Sequence, residues 1–371
     1  LFLYYNIVTN KVKKGIEMQN KWVTLTILFM ISIVLSYIAD QVGMILPYMF
    51  TPILLTVFFI SVLHWTVDLP NRISNVALYI LGIQIGTSFT LSVIVGLTDE
   101  WLGILIITIA VMVIAMSLAV LFKKLTHCTL ETAILSTVPG ALSQMIVMAE
   151  EDERADLLLV TLAQTTRIVM VILLVPIIST FIAPKQQSSP EQQGMLTSPS
   201  IFELPVVEII MIIVCVTIVT WILKRIHFPA SDLLGPVFTV LLWNVITNHP
   251  FTLPVQFINV AQILFGIRIG YQIATLIKGL NIRMIIAIVI QSTVLVALTF
   301  VFVAIYSLYS THSLNDLFLS AAPGGMAQIV IVAIETGADI SMVSSYHIFR
   351  IFFILLIITP LVSLGLKKRL T

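Results

Sequence analysis

The sequence repeats itself at one fixed distance. Leu69-Pro70 matches Leu253-Pro254, and Asn75-Val76-Ala77 matches Asn259-Val260-Ala261. Gly82-Ile83 and Ile85-Gly86 match Gly266-Ile267 and Ile269-Gly270. Leu130, Leu135, Ser136, Pro139, Gly140 and Gln144 match Leu314, Leu319, Ser320, Pro323, Gly324 and Gln328, every pair 184 positions apart. Chance agreement among Leu, Ile and Val does not explain the register, because Asn, Pro, Gly, Ser and Gln carry much of it. The chain must therefore build one unit twice.

Composition says which solvent that unit meets. Only 10% of residues are charged, 59% are hydrophobic and mean hydropathy is +1.09, whereas soluble domains carry about 25% charged residues. So little charge cannot cover a water-facing surface, and the bilayer is the expected partner. A span needs roughly 20 apolar residues. Candidates are 22–39, 44–67, 74–97, 102–122, 157–183, 204–223, 233–247, 255–277, 284–309 and 340–366, with two interrupted stretches at 129–149 and 313–334. The expected organisation is a basic tail (1–21), a first membrane repeat (22–183), a Pro-, Ser- and Gln-rich linker (184–203), a second repeat (204–366) and a basic tail (367–371). The chain opens on Leu1, and Met18 is a candidate natural start. No small-residue cleavage site follows the first apolar run, which reads as a retained helix.

Charge decides the orientation of the copies. Asp40, Asp99-Glu100 and Lys123-Lys124 follow helices of the first half. The equivalent places in the second half hold Lys224-Arg225, Lys278 with Arg283, and the uncharged-to-His run Ser310–His312. The signs swap. Ten crossings put every basic cluster, and both termini, on the cytoplasmic side of a cell membrane. The expected fold is thus an all-α polytopic membrane protein of two inverted repeats. Each repeat has about five transmembrane helices plus a Pro-Gly broken or re-entrant segment, an arrangement common among secondary transporters. The Pro-bearing segments 44–67 and 233–247, with Pro47, Pro52 and Pro236, are the alternative partial elements.

TVPGALSQM (137–145) and AAPGGMAQI (321–329) interrupt the apolar runs. Proline removes a donor and glycine lets the chain turn. A helix restarting after Gly140, or after Gly324-Gly325, points free N–H groups at the break. Ser143, Gln144 and Gln328 would stand on those first turns. Arg167 and Arg350 interrupt later apolar runs, each with a polar residue three positions earlier, Gln164 and His347, on the same helix face. Arginine facing lipid at the bilayer centre is costly, so both should point inward. There they would bind an anionic solute, hydrogen-bond carbonyls freed by the Pro-Gly breaks, or pair with Glu151 and Glu335. Pro139, Gly140, Ser143, Gln144, Gln164, Arg167, Arg268, Pro323, Gly324, Gly325, Gln328, His347 and Arg350 form the candidate substrate site. Gln84, Glu151 and Glu335 are candidates for structural or coupling roles.

Gly82 with Gly86 and Gly266 with Gly270 suit close helix packing, with Gln84 and Arg268 at equivalent depth between them. The acidic run Glu150–Asp156 reads as a solvated loop opening a helix. Cys128 and Cys215 show no ligand spacing. The six histidines lack metal spacing such as HxxxH. A P-loop, a nucleophile elbow and a basic stripe for nucleic acid are all missing from the sequence. No metal or cofactor is expected, and homo-oligomerisation is left open.

Two units carrying PGALSQM and PGGMAQI, each followed by a helix with QxxR or HxxR, resemble the membrane AbrB-duplication family over about residues 22–366. The resemblance implies a bacterial inner-membrane protein, under labels ranging from ammonia monooxygenase to regulator of gene expression. The family motif commonly continues with an acidic residue where this chain has Gln144 and Gln328, which weighs against proton coupling at those two positions. The sequence leads to a transporter of a small anionic or polar solute, working by alternating access. A membrane sensor or regulator is the second expectation, and a membrane monooxygenase subunit the third.

Overall fold

A computed structural model describes residues 2–65, 67, 70–91, 93, 95, 100–139, 142–183, 199–277 and 282–362, with side chains from Trp22 onward except at 71, 142–143, 276–277 and 282–283. The described chain is helical. The first repeat gives α1 (Phe2–Gln41), α2 (Pro47–Ser61), α3 (Asn71–Thr87), α4 (Trp101–Thr126), α5 (Leu130–Thr137), α6 (Leu142–Glu151) and α7 (Leu157–Ile182). The second gives α8 (Val206–Arg225), α9 (Ser231–Thr247), α10 (Val255–Ile277), α11 (Ile282–Tyr306), α12 (Leu314–Ala321), α13 (Met326–Thr336) and α14 (Ile340–Phe353), which runs on into a π-helical turn, Ile354–Ile358. Among the described residues, seven helices are long and apolar enough to cross a membrane: 22–41, 101–126, 157–182, 206–225, 255–275, 284–306 and 340–362. The protein is an all-α, polytopic membrane protein.

Contacts group the chain into two units, Leu1–Leu78 with Gln256–Gly279, and Tyr79–Val255 with Leu280–Thr371. In the first, α1 packs on α2, and α10 lays Gly266 and Gly270 against the same helix. A Cβ added at Gly266 would come 2.7 Å from Met49 O and from Pro52 Cγ; one at Gly270 would come 2.6 Å from Thr56 Cβ. In the second unit α8 packs on α9, and Gly82 and Gly86 of α3 face it. Their added Cβ atoms would strike Leu233 O, and Val240 Cβ at 2.6 Å. The contacted residues Met49, Pro52 and Thr56 stand 184 positions before Leu233, Pro236 and Val240. Each repeat therefore packs its third helix on the second helix of the other repeat. The glycine pairs are packing devices, as small-xxx-small spacing suggests.

Two observations differ from the sequence reading, and one removes the alternative it left open. The α3 helix stops at Thr87 instead of continuing through 97. Thr87 Oγ1 donates to Gln84 O (2.7 Å), and the Asn244 amide donates to Gly86 O (3.3 Å) and Phe89 O (3.1 Å). Carbonyls capped by side chains no longer need a further turn. Pro52 and Pro236 lie inside continuous helices, so the broken element of each repeat is the Pro-Gly segment. The basic 1–21 stretch continues α1. Most of the 184–203 linker lies outside the described residues; at its end Ser200 bridges Thr252 and Ile201–Glu203 form a 3-10 turn. The 367–371 tail also lies outside them.

Candidate functional site

The candidate site lies in the second unit, where each Pro-Gly segment forms a helical hairpin. Thr129 caps α5 by accepting from Thr132 N–H (3.2 Å), and Ser313 caps α12 by accepting from Asp316 N–H (3.1 Å). Each helix lasts eight residues, about 12 Å. Val138 and Ala322 then turn extended, at ψ 118° and 129°, because the following proline disfavours helix at the residue before it. The chain restarts as α6 and α13 and returns to where it entered. At the first base Thr129 Oγ1 donates to Arg154 O (2.9 Å), Asp156 N–H donates to Thr132 Oγ1 (2.9 Å), and Arg154 pairs with Glu131 (3.4 Å). Arg154 also hydrogen-bonds Asp152 and holds that carboxyl below its usual range. At the second base Asp339 N–H donates to Asp316 Oδ1 (2.9 Å), and Asn315 Nδ2 donates to Thr336 Oγ1 (3.2 Å).

The hairpin tips leave helix-end carbonyls without intrahelical donors, and burial makes such orphans expensive. The inward arginines supply donors. Arg167 Nη1 donates to Thr137 O (3.3 Å) and Val138 O (3.2 Å), while Gln164 Nε2 donates to Leu135 O (2.6 Å) and Val138 O (3.1 Å). Arg167 Nη2 donates to Gln164 Oε1 (2.5 Å). In the second copy Arg350 Nη1 donates to Ala321 O (3.3 Å) and Ala322 O (2.9 Å), and Nη2 to Gly324 O (3.3 Å). His347 Nε2 lies 3.0 Å from Leu319 O and its Nδ1 lies 2.6 Å from Arg350 Nη2. Gln164, Arg167, His347 and Arg350 are all buried, with the arginines 3% and 4% exposed. Each guanidinium sits at the carbonyl end of a helix, where the dipole favours a cation.

The hairpins meet α7 from opposite ends. Asp156 at the start of α7 touches the first base, and Gln164 and Arg167 hold the first tip. One turn on, Val171 Cγ1 would lie 2.6 Å from a Cβ added at Gly324 in the second tip. Near its end, Ser179 Oγ donates to Asn315 Oδ1 (2.5 Å) at the second base. Along α14 the order is reversed: base at Asp339, tip at His347 and Arg350, then Ile354, Ile358 and Val362 in one core cluster with Leu135, Val138, Met145 and Met148 of the first hairpin. The two tips thus come together about halfway along α7, with Arg167 and Arg350 within mutual Coulombic reach.

Pro139 and Pro323 are buried in the tips. Gly325 opens α13, and an added Cβ there would strike Gln328 Oε1, a buried acceptor without a hydrogen-bond partner among the described residues. Gln144 is half-buried on the first turn of α6. Gly140 and the Ser143 side chain lie outside the described residues. The described donors to the tip carbonyls do not include four candidates, Arg268, Glu151, Glu335 and Gln84. Arg268 is half-buried, not fully buried as its apolar run suggests; it belongs to the other unit and donates to Ser74 Oγ (2.8 Å). Glu151 and Glu335 are exposed at the ends of α6 and α13, so the arginines pair with carbonyls and not with them. Gln84 is buried in α3, its Oε1 without a partner among the described residues.

Sequence reasoning placed Asp156 at a helix start, where it caps α7, but missed the other base residues Thr132, Asp316 and Asp339. It also gave no role to Ser136 and Ser320, a matched pair that is buried with hydroxyls unpartnered among the described residues. Their recurrence at the common offset was the available signal.

A family model described as "Transition state regulatory protein AbrB" matches residues 48–365. The protein YhjN of Bacillus subtilis (strain 168) is 28% identical over 291 residues, covering 76% of this chain and 75% of that one. A protein of Escherichia coli (strain K12) named as the regulator AbrB is 28% identical over 166 residues, covering 43% of this chain and 47% of that one.

Proposed function

The chain belongs to the AbrB family of membrane-type proteins, and from that premise we propose that it is a secondary transporter of a small anionic or polar solute. The observation that carries this reading is the meeting of two opposed hairpin tips at two buried guanidiniums. The described hydrogen bonds of those guanidiniums go to carbonyls and to neighbouring neutral side chains. Among the described residues their positive charge is offset by helix ends alone, which leaves a field suited to an anion. The opposed entry of the hairpins supports two inverted repeats, and the placement of the basic clusters supports ten crossings with both termini cytoplasmic in the cell membrane. Broken helices about a midplane site are the architecture through which alternating access works. Movement of one hairpin while the other stays clamped would expose the tips to one side at a time. Pro139, Gly140, Ser143, Gln144, Pro323, Gly324, Gly325 and Gln328 would line the approach, with Gln164, Arg167, His347 and Arg350 behind them.

The test is uptake by purified protein in proteoliposomes, with labelled mono- and dicarboxylates and inorganic anions under imposed ion gradients. Saturable uptake of at least one solute is expected. Ligand binding without flux of any solute overturns transport and favours the second reading, a membrane sensor or regulator; the Escherichia coli relative is named as a regulator. Topology is checked by labelling single cysteines placed at the hairpin bases. Positions near Asp156 and Asp339 should label from opposite sides.

A further inference from the structure

The two tip clamps share one plan and differ in one group. An arginine N–H can only donate, so the 2.6 Å contact from Arg350 Nη2 makes His347 Nδ1 an acceptor. The ring proton therefore sits on Nε2 and donates to Leu319 O. Gln164 makes the same two bonds in the first clamp: its Oε1 accepts from Arg167, and its Nε2 donates to Leu135 O. An amide does not titrate near neutral pH, whereas imidazole does.

We propose that His347 is a proton-binding site that controls the α12–α13 hairpin: a proton on Nδ1 releases that tip from α14, while the α5–α6 tip, held by Gln164, does not respond. This rests on the reading of the tips as the moving elements of a solute site. In the clamped state both ring nitrogens are occupied. A second ring proton would set N–H against N–H and cation against cation at 2.6 Å. The charged groups around the ring offer no compensation. Arg350 lies on its own helix and Arg167 on α7, both positive. Asp316, Asp339 and Glu335 belong to the hairpin base, about 12 Å down the helix axis from His347. Glu100, beside the start of α4, pairs with His312 (2.8 Å).

The linkage follows. The clamped state requires neutral His347, and the released state frees its Nδ1 to take a proton in the mildly acidic range where imidazole titrates. A ligand that binds only one state draws the population towards it. The clamp is therefore at full strength above that range. It weakens as pH falls through it, by up to about tenfold in the released-to-clamped ratio per pH unit below.

Hydrogen exchange of the full-length protein in nanodiscs, corrected for intrinsic rates, tests this at pH 7.5 and 5.5. Protection over 313–339 is expected to fall about tenfold at the lower pH, with 129–156 unchanged. His347→Gln should make 313–339 insensitive to pH. Gln164→His should confer the sensitivity on 129–156, which provides a second test if His347→Gln does not fold. A wild-type hairpin with no pH response, or a response that survives in His347→Gln, overturns the assignment. The exchange response with no flux in proteoliposomes overturns only the transport reading. Flux alongside an unaltered response in His347→Gln overturns only this one.

Discussion

At the α5–α6 tip Arg167 shares its work. Val138 O also takes a bond from Gln164, and among the described residues only Thr137 O relies on the guanidinium alone. At the α12–α13 tip Arg350 is the side-chain donor to Ala321, Ala322 and Gly324, and of these only Ala322 O has a second donor, Gly324 N–H. The same fold thus holds one tip redundantly and the other through a single arginine partnered by a titratable ring. The two copies share a geometry and differ in the chemistry of the clamp, the difference on which the proposed proton response of the second hairpin rests.

The largest expected difference comes from removing the arginines. Arg350→Ala orphans two buried carbonyls and Arg167→Ala one, at about 1–3 kcal/mol for each. Both variants should still insert in the membrane and lose uptake, with Arg350→Ala melting at the lower temperature in detergent. Equal melting temperatures would break the contrast between the clamps, and wild-type uptake in both variants would remove the arginines from the site.

A smaller effect is expected from Gly324→Ala. The new methyl meets Val171 at 2.6 Å, an overpacking that costs about 1–3 kcal/mol. Val171→Ala in the same chain should restore most of the loss, because the two changes share one contact. A double variant no more stable than the single one would mean that α7 does not brace the second tip.

The smallest effects belong to the bases, where the repeats are alike. Asp156 accepts from Leu159 N–H (3.0 Å) and Asp339 from Met342 N–H (2.9 Å), caps worth about 1 kcal/mol each. Asp156→Ala and Asp339→Ala should lower the melting temperature by similar amounts. A large gap between them would place the asymmetry at the bases as well as at the tips.

Much of the frame was legible before any coordinates. Pro139 and Pro323 break helices wherever they fall, and an arginine inside an apolar run must turn inward whatever surrounds it. The repeat is legible for the same reason, as matched residues report matched surroundings. It is invisible, however, where the backbone repeats and the residue types do not. Gly43 and His227, Leu46 and Ala230, and His64 and Asn248 each stand 184 apart and share a left-handed conformation, a conformation that costs most side chains about 1–2 kcal/mol.

By itself, then, the sequence determined that this chain is duplicated, lives in lipid, breaks a helix in each copy and buries two arginines. Those properties follow from local covalent geometry and from solvation, which act residue by residue. Only the tertiary structure decided that each broken helix returns to its own entry point, and that the third helices are exchanged between repeats. Only it decided that Arg167 and Arg350 serve the carbonyls of Thr137 and Val138, and of Ala321, Ala322 and Gly324. A buried donor takes whichever acceptor folding leaves orphaned within its reach, and that choice is made by segments roughly thirty residues apart in the chain.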